Sequence, residues 1–205
     1  MDATDQMEVE QKYDAGPDFE LPDLGTLPGY TVTAPETFHM SAIYFDTDDL
    51  RLAASKVTLR RRTGGEDDAW HLKLPVRPGT RRERHLPLDA GTDTVPSQMQ
   101  DMVAEFTGGQ PLRPIARLDT VRVIRRLAGP DGQARAEVAD DHVTGRRLNP
   151  GAPDAAPLVW HEIEIELMSG EPDVLEAAGG LLRKAGARPS ASASKLGRVL
   201  EQAQS

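Results

Sequence analysis

The sequence predicts a mainly-β domain of the α+β class, an eight-stranded antiparallel β-barrel or tunnel with a charged interior and about three helices packed outside. Three observations predict it. Short segments alternate apolar and charged side chains with a period of two, turn-forming Gly, Pro and Asp separate several of them, and charge runs along the chain in blocks of alternating sign.

The strands can be justified in order. Residues 7–13 (MEVEQKY) set Glu8, Glu10 and Lys12 on one face and Met7, Val9 and Tyr13 on the other. Residues 37–46 (TFHMSAIYFD) put Tyr44 and Asp46 on one side, with Phe38 and Met40 further back. Residues 57–62 (VTLRRR) place Arg60 and Arg62 opposite Val57 and Leu59, and residues 70–74 (WHLKL) set His71 and Lys73 against Trp70, Leu72 and Leu74. Arg81, Glu83 and His85 form the next row. Residues 115–127 present Arg122 and Arg126 opposite Val121 and Val123, residues 135–141 align Glu137 with Asp141, and residues 160–167 (WHEIEIEL) align Glu162, Glu164 and Glu166 opposite Ile163, Ile165 and Leu167.

Turn chemistry at 64–68 (GGEDD), 76–79 (VRPG) and 129–132 (GPDG) favours antiparallel neighbours. Residues 97–107 (SQMQDMVAEFT) read as a helix capped by Ser97 and stopped at Gly108-Gly109. Residues 173–185, weakened by Gly179 and Gly180, and 194–203 read as two more. The Pro- and Gly-rich crossover 14–35 reads as an ordered loop at best, without regular elements.

At 205 residues the chain fits a single domain spanning 1–205. The absence of Cys excludes thiolate metal sites and a Cys nucleophile, and fits a reducing, cytoplasmic location. No apolar run approaches the ~20 residues of a membrane span, so no membrane partner is expected. The net charge of −9 argues against a general nucleic-acid binder. Composition leaves the oligomeric state open.

Charge segregation bears on function. Residues 1–50 hold twelve acids and one Lys, whereas residues 56–84 hold nine bases and four acids. Arg outnumbers Lys by 19 to 5, which favours planar recognition of carboxylate or phosphate. Which strand face points inward decides the meaning. A sandwich would bury the apolar faces and wet the charged rows, while a ligand barrel would turn the charged rows into its bore. The apolar helix faces (Met99, Met102, Val103, Phe106; Val174, Leu175, Leu181, Leu182; Leu196, Val199, Leu200) suffice to cover an outer wall, which favours the barrel.

If the rows converge, Glu8, Glu10, Glu164 and Glu166 crowd negative charge that a hard divalent cation would relieve. Lys12, Arg60, Arg62, Lys73, Arg122 and Arg81 would then supply fixed positive charge for an anion, and a short phosphate chain fits such a clamp. Phosphate-loop, dinucleotide-binding, zinc-protease and serine-hydrolase motifs are absent. The five His are scattered and read as structural or surface residues.

The ordered set Glu8-Val9-Glu10-Gln11-Lys12, Tyr44-Phe45-Asp46, Leu59-Arg60-Arg61-Arg62, Leu72-Lys73, Arg81-Arg82-Glu83, Arg122, Glu137 with Asp140-Asp141, Glu162 to Glu166 and Ser194-Lys195-Leu196 resembles the CYTH family, the triphosphate tunnel metalloenzymes. The resemblance implies a tunnel barrel and Mg²⁺- or Mn²⁺-dependent chemistry on a triphosphate. It implies metal ligands at Glu8 and Glu10 and at Glu164 and Glu166, with Glu162 as a register alternative and Glu83, Glu137 and Asp141 completing the candidate set. Strand parity favours Asp141 over the adjacent Asp140. The resemblance also implies phosphate contacts from Lys12, Arg60, Arg62, Lys73, Arg122 and Lys195, to which the charged rows add Arg81, with Tyr44 and Asp46 in support. Proton transfer falls to Lys12, Glu164 or Glu166.

The implied reaction is hydrolysis of inorganic triphosphate or a related linear triphosphate, releasing phosphate. The alternatives are a non-catalytic polyphosphate- or nucleotide-phosphate-binding module, or an adenylyl cyclase or thiamine triphosphatase of the same family. Each of these enzymes needs a pocket for an organic group, and Tyr44 is the aromatic residue expected at the tunnel rows.

Overall fold

The computed structural model describes residues 4–66, 68–78, 80–88, 94–148 and 156–201. Asp67 and Gly79, in two of the expected turns, lie outside the described residues, as does the end of the last expected helix. Eight strands close in the order β1 (Thr4–Ala15), β6 (Thr80–Pro87), β5 (Ala69–Arg77), β4 (Thr58–Thr63), β3 (Glu36–Asp46), β7 (Arg113–Ala128), β8 (Ala134–Arg147) and β9 (Leu158–Leu167), and every pairing is antiparallel. The ring closes through β1, whose first half pairs with β6 and whose second half pairs with β9. Two-residue strands β2 (Thr31–Val32) and β10 (Arg188–Pro189) attach to β7 and β1.

Register determines the inside. Arg60 faces His71, His71 faces His85, Lys73 faces Glu83, Arg122 faces Asp141, and Glu166 sits between Glu10 and Glu137. Because side chains alternate along a strand, one register places these charged rows in the bore and the apolar rows outside. The barrel alternative therefore holds over the sandwich.

Helices cover the apolar wall. On α3 (Asp173–Lys184), Val174, Leu175, Ala178 and Leu182 are buried against Tyr13, Val138, Ile163 and Ile165. Burying each larger aliphatic side chain stabilises by about 1.5–3 kcal/mol. On α2 (Ser97–Thr107), Met99 and Val103 pack on Leu59, Trp70 and Leu72. That helix ends at Gly108, whose φ of 61° supplies the left-handed cap. Ser97 is its first helical residue and makes no side-chain cap; Pro96 precedes it.

Three expectations need correction. A fourth helix among the described residues, α1 (Arg51–Ala54), follows β3. Its backbone N–H groups at Leu52 and Ala53 donate to Asp46, both at 2.9 Å. Tyr44 faces the bore, whereas fully buried Asp46, the last residue of β3, is held by those N–H groups and caps a helix outside it; the register shift nearby skips Ile115 of the partner strand. The crossover 14–35 is also more ordered than a loop: a 3₁₀ turn (Leu24–Thr26) buries Leu24 in the core beside α3, and β2 follows.

The third correction concerns α4 (Lys195–Glu201). Its apolar residues Leu196, Val199 and Leu200 do not join the outer wall. They pack with the inward-facing Tyr44, Leu118, Val143 and Trp160 and close one end of the bore. Gly145 of β8 permits the approach, since a Cβ there would lie 2.5 Å from Val199 and 3.0 Å from the Trp160 ring.

Candidate active site

The bore is a cavity of about 390 Å³, within the usual range for small-ligand sites. Lys12 of β1, Arg60 and Arg62 of β4, Lys73 of β5, Arg81 of β6, Arg122 of β7 and Lys195 of α4 all line it. The seven cationic residues named from sequence thus converge from five strands and one helix.

Toward the plugged end, carboxylates are saturated with cations. Arg122 donates to Asp141 through two bonds of 2.7 and 2.6 Å and reaches Glu164 Oε2 at 2.6 Å. Lys195 Nζ stands 2.9 Å from Asp141, 2.7 Å from Glu162 and 2.7 Å from Glu164. Lys12 Nζ adds 2.6 Å to Glu164 and 3.3 Å to Glu10. Burial pushes the Glu164 carboxyl up, but Lys12, Lys195 and Arg122 outweigh it and hold it well below the usual range. Asp141 is lowered too, burial opposed by Arg122 and Lys195. Asp141 and Glu162 do not line the cavity; they lie under Lys195, and the Trp160 indole N–H also bonds Glu162.

The opposite wall carries Lys73 on Glu8 and 3.6 Å from Glu83. Glu83 in turn meets His71 Nδ1 at 3.0 Å and His85 Nε2 at 3.4 Å. Burial, with Arg60 and Arg62 nearby, pushes His71 down to about 3 against the Glu83 hydrogen bond, so its ring is neutral at pH 7. Arg60 donates to the Tyr44 hydroxyl at 3.1 Å, which places Tyr44 as its support.

Toward the open end the balance reverses. Glu10, Glu166 and Glu137 are register neighbours on three adjoining strands. Burial and the negative charge of Glu8, with a smaller push from Glu10, drive Glu166 up to about 7 despite Lys73. The Oε2 atom of Glu8 is buried and accepts no hydrogen bond. A buried acceptor left over beside a carboxyl that retains its proton near neutrality marks an excess of negative charge. Glu137 is raised as well, burial outweighing its 3.0 Å pair with Arg126.

Several lining residues escaped the sequence reading of the site. His71 and His85 were read as structural or surface residues, although their alternation with Trp70 and Leu72, and with Glu83, already placed them on the charged face. Arg126 does not line the cavity itself but bonds the lining residues Glu137 and Glu66, the latter at 2.5 Å, and Glu36 at 3.2 Å. Phe38 joins Tyr44 as a lining aromatic, and with Met40, Leu118 and Ile124 it makes the β3–β7 wall largely apolar. Among the described residues no helix is long and apolar enough to cross a membrane.

A closed antiparallel barrel with opposed carboxylate and cation rows in its bore defines a tunnel protein. The chain belongs to the CYTH family: the CYTH domain model matches residues 6–198. Two uncharacterised Mycobacterium tuberculosis proteins, from strains H37Rv and CDC 1551, are each 39% identical over 209 residues. The match covers 95% of this chain and 40% of each relative's length. A putative adenylate cyclase from Bacillus halodurans shares the fold at a TM-score of 0.65 and 20% identity, covering 95% of this chain and 97% of that one. The putative adenylyl cyclase HpAC1 from Hippeastrum, described as having a dominant triphosphatase activity, gives 0.57 and 18%, covering 96% and 95%.

Proposed function

We propose that the chain hydrolyses a linear triphosphate, inorganic triphosphate foremost, with Mg²⁺ or Mn²⁺, releasing phosphate. One observation carries this reading: seven Lys and Arg side chains meet in one enclosed bore facing carboxylates. An anion of several charges is the ligand that such a bore matches, and a shorter phosphate would leave cations unanswered. The triphosphatase activity described for the Hippeastrum protein supports the reaction class.

The residues present fit a hard divalent cation. The donors at the open end are all carboxylate oxygens, one of them, Glu8 Oε2, is orphaned, and Glu166 is destabilised as an anion by Glu8 and Glu10. Glu8, Glu10 and Glu166 would hold the ion, with Glu137 beside them. A bound ion would neutralise phosphate oxygens and acidify an attacking water. Glu164 positions Lys12, Arg122 and Lys195 for the phosphate chain, because three cations share its carboxylate. Those cations also make Glu164 a poor proton acceptor, whereas Glu166 keeps a proton affinity near neutrality only while no ion is bound beside it.

A second reading has one observation in its favour. Phe38, Met40 and Ile124 form an apolar strip in the same bore, which suits an organic triphosphate such as ATP or thiamine triphosphate. Thermal unfolding with Mg²⁺ and a panel of triphosphate, diphosphate, ATP and thiamine triphosphate separates the two. A ligand at a hundred times its Kd adds about 2.7 kcal/mol. The first reading expects inorganic triphosphate to raise Tm most; an equal rise with diphosphate would remove it, and a larger rise with ATP or thiamine triphosphate would favour the second.

A further inference from the structure

The outer wall carries a second constellation that the bore does not use. Register sets His142 of β8 directly beside His161 of β9, and Asp140 lies two residues before His142 on the same outward face. The two imidazoles stack with centroids 4.1 Å apart and planes 17° from parallel. Nε2 of His161 lies 2.6 Å from Asp140 Oδ1, and Nε2 of His142 lies 3.9 Å from the same oxygen. One ligand atom from each residue falls within 4.8 Å of the other two.

An independent contact shows what this arrangement requires. The Nδ1 atom of His161 faces the Gly16 carbonyl oxygen at 3.4 Å, and the ring is packed at an angle against Phe19. Both ring nitrogens of His161 thus face oxygens that only accept, and a neutral ring has one hydrogen for the two. With that hydrogen on Nδ1, a cation between Nε2 and Asp140, either a proton or a metal ion, satisfies both sides. A ring whose far N–H rests on a backbone carbonyl while its other nitrogen meets a carboxylate is oriented as metal-binding histidines are.

We propose that Asp140, His142 and His161 form a site for a divalent transition metal of the Zn²⁺ class on the outer wall of the barrel, separate from the bore. Two imidazoles and one carboxylate select Zn²⁺, Co²⁺, Ni²⁺ or Cu²⁺ over Mg²⁺, which prefers all-oxygen ligands. At the usual bond lengths of about 2.0–2.2 Å, tetrahedral donors stand about 3.3 Å apart. The 2.6 Å contact must lengthen and the 3.9 Å contact shorten by similar amounts. The stacked rings also hold their lone pairs nearly parallel, so His142, 60% exposed, must turn out of the stack to point its Nε2 at the ion, while His161 at 7% is the fixed member. Three protein ligands leave a position for water or for a donor from another molecule. The site shares no side chain with the bore, since Asp141 and Glu162, the neighbours of Asp140 and His161, point the other way.

The bore holds its own His71, Glu83 and His85 group, so the test must separate the two. Visible absorption of Co²⁺ titrated into the full chain reports its ligand field directly. With excess Mg²⁺ present to occupy the carboxylates of the bore, the proposal expects one equivalent of Co²⁺ bound, with affinity at least roughly tenfold weaker in His142→Asn and Asp140→Asn and unchanged in His85→Gln. Zn²⁺ should displace the Co²⁺ and excess Mg²⁺ should not. His142 is exposed enough that its replacement leaves the fold intact. Equal Co²⁺ spectra and affinity in His142→Asn, loss of the signal in His85→Gln alone, or no stoichiometric binding would each overturn the proposal.

Discussion

The Lys195 ammonium stands 2.7 Å from Glu164 Oε1, which joins the helix plugging the bore to the middle of the last barrel strand. The same nitrogen lies 2.9 Å from Asp141 and 2.7 Å from Glu162. By residue type those three acids suit a metal ion, and their ligand atoms fall within 4.8 Å of one another. They already enclose a cation supplied by the chain. Burial lowers Lys195, but Asp141, Glu164 and Glu162 more than compensate and raise it well above the usual lysine range.

Replacing Lys195 should therefore leave buried negative charge without a partner. Lys195→Met is expected to cost about 3–5 kcal/mol in urea unfolding. Added Mn²⁺ should restore part of that loss, because three facing carboxylates then form an oxygen site. A variant as stable as the parent, with no Mn²⁺ response, would show that the cluster is not held by charge.

Arg60 tests the phosphate clamp. Its guanidinium is fixed by the Tyr44 hydroxyl at 3.1 Å, so planarity as well as charge sets its direction. Arg60→Ala is expected to raise KM for triphosphate roughly tenfold or more, and Arg60→Lys to recover little of it. Full recovery by Lys in steady-state kinetics would reduce the role of Arg60 to charge alone.

Glu166 gives a pH test with a defined sign. Its ordinary value of 4.5 rises to about 7 in the metal-free fold. Between these values the folded chain holds more protons than the unfolded one, so the Glu166 contribution to stability falls as pH rises. His71, lowered from 6.5 to about 3, acts in the opposite sense over much of that window, because there the unfolded chain holds the proton. The measurement is therefore the difference between the parent and Glu166→Gln from pH 4.5 to 7. The variant should gain on the parent as pH rises, on the order of 2 kcal/mol, and Mg²⁺ should shrink the gap. A pH-independent difference would place Glu166 in an environment unlike the one described.

Two adjacent glycines of α3 should respond oppositely. Alanine is worth about 0.8–1.0 kcal/mol over glycine in a helix interior. At Gly180 a Cβ meets only the Arg183 guanidinium at 3.9 Å, so Gly180→Ala is expected to stabilise by about that amount. At Gly179 a Cβ would collide with the Tyr13 hydroxyl beneath the helix, and Gly179→Ala should destabilise by about 1–3 kcal/mol. Thermal unfolding of the pair checks both signs, and a gain at Gly179 would contradict the close approach of α3 to β1.

Most of the barrel was legible because a half-buried strand must alternate, and all eight segments do. Even the choice of Asp141 over Asp140 on β8 follows from parity with Glu137. What escaped was set by tertiary context. Asp46 leaves the row that alternation assigned to it because the Leu52 and Ala53 N–H groups hold its carboxylate at α1, and nothing local to 37–46 announces that helix. Leu196, Val199 and Leu200 have the spacing of any amphipathic helix, which cannot say whether it covers a wall or plugs an end. Glycine-rich α3 looks weak until the closeness of Tyr13 is known. The charges of the bore were visible singly, but their partition was not. Three cations on Glu164 and an excess of carboxylate around Glu166 depend on distances across the bore between strands far apart in sequence.

Phosphate release from inorganic triphosphate with Mg²⁺ or Mn²⁺, compared between the parent chain and a Glu8→Gln/Glu10→Gln variant, tests the catalytic reading most directly. Metal-dependent turnover that the paired substitution reduces by orders of magnitude is the expected result. Turnover in the parent no greater than in the variant would contradict it.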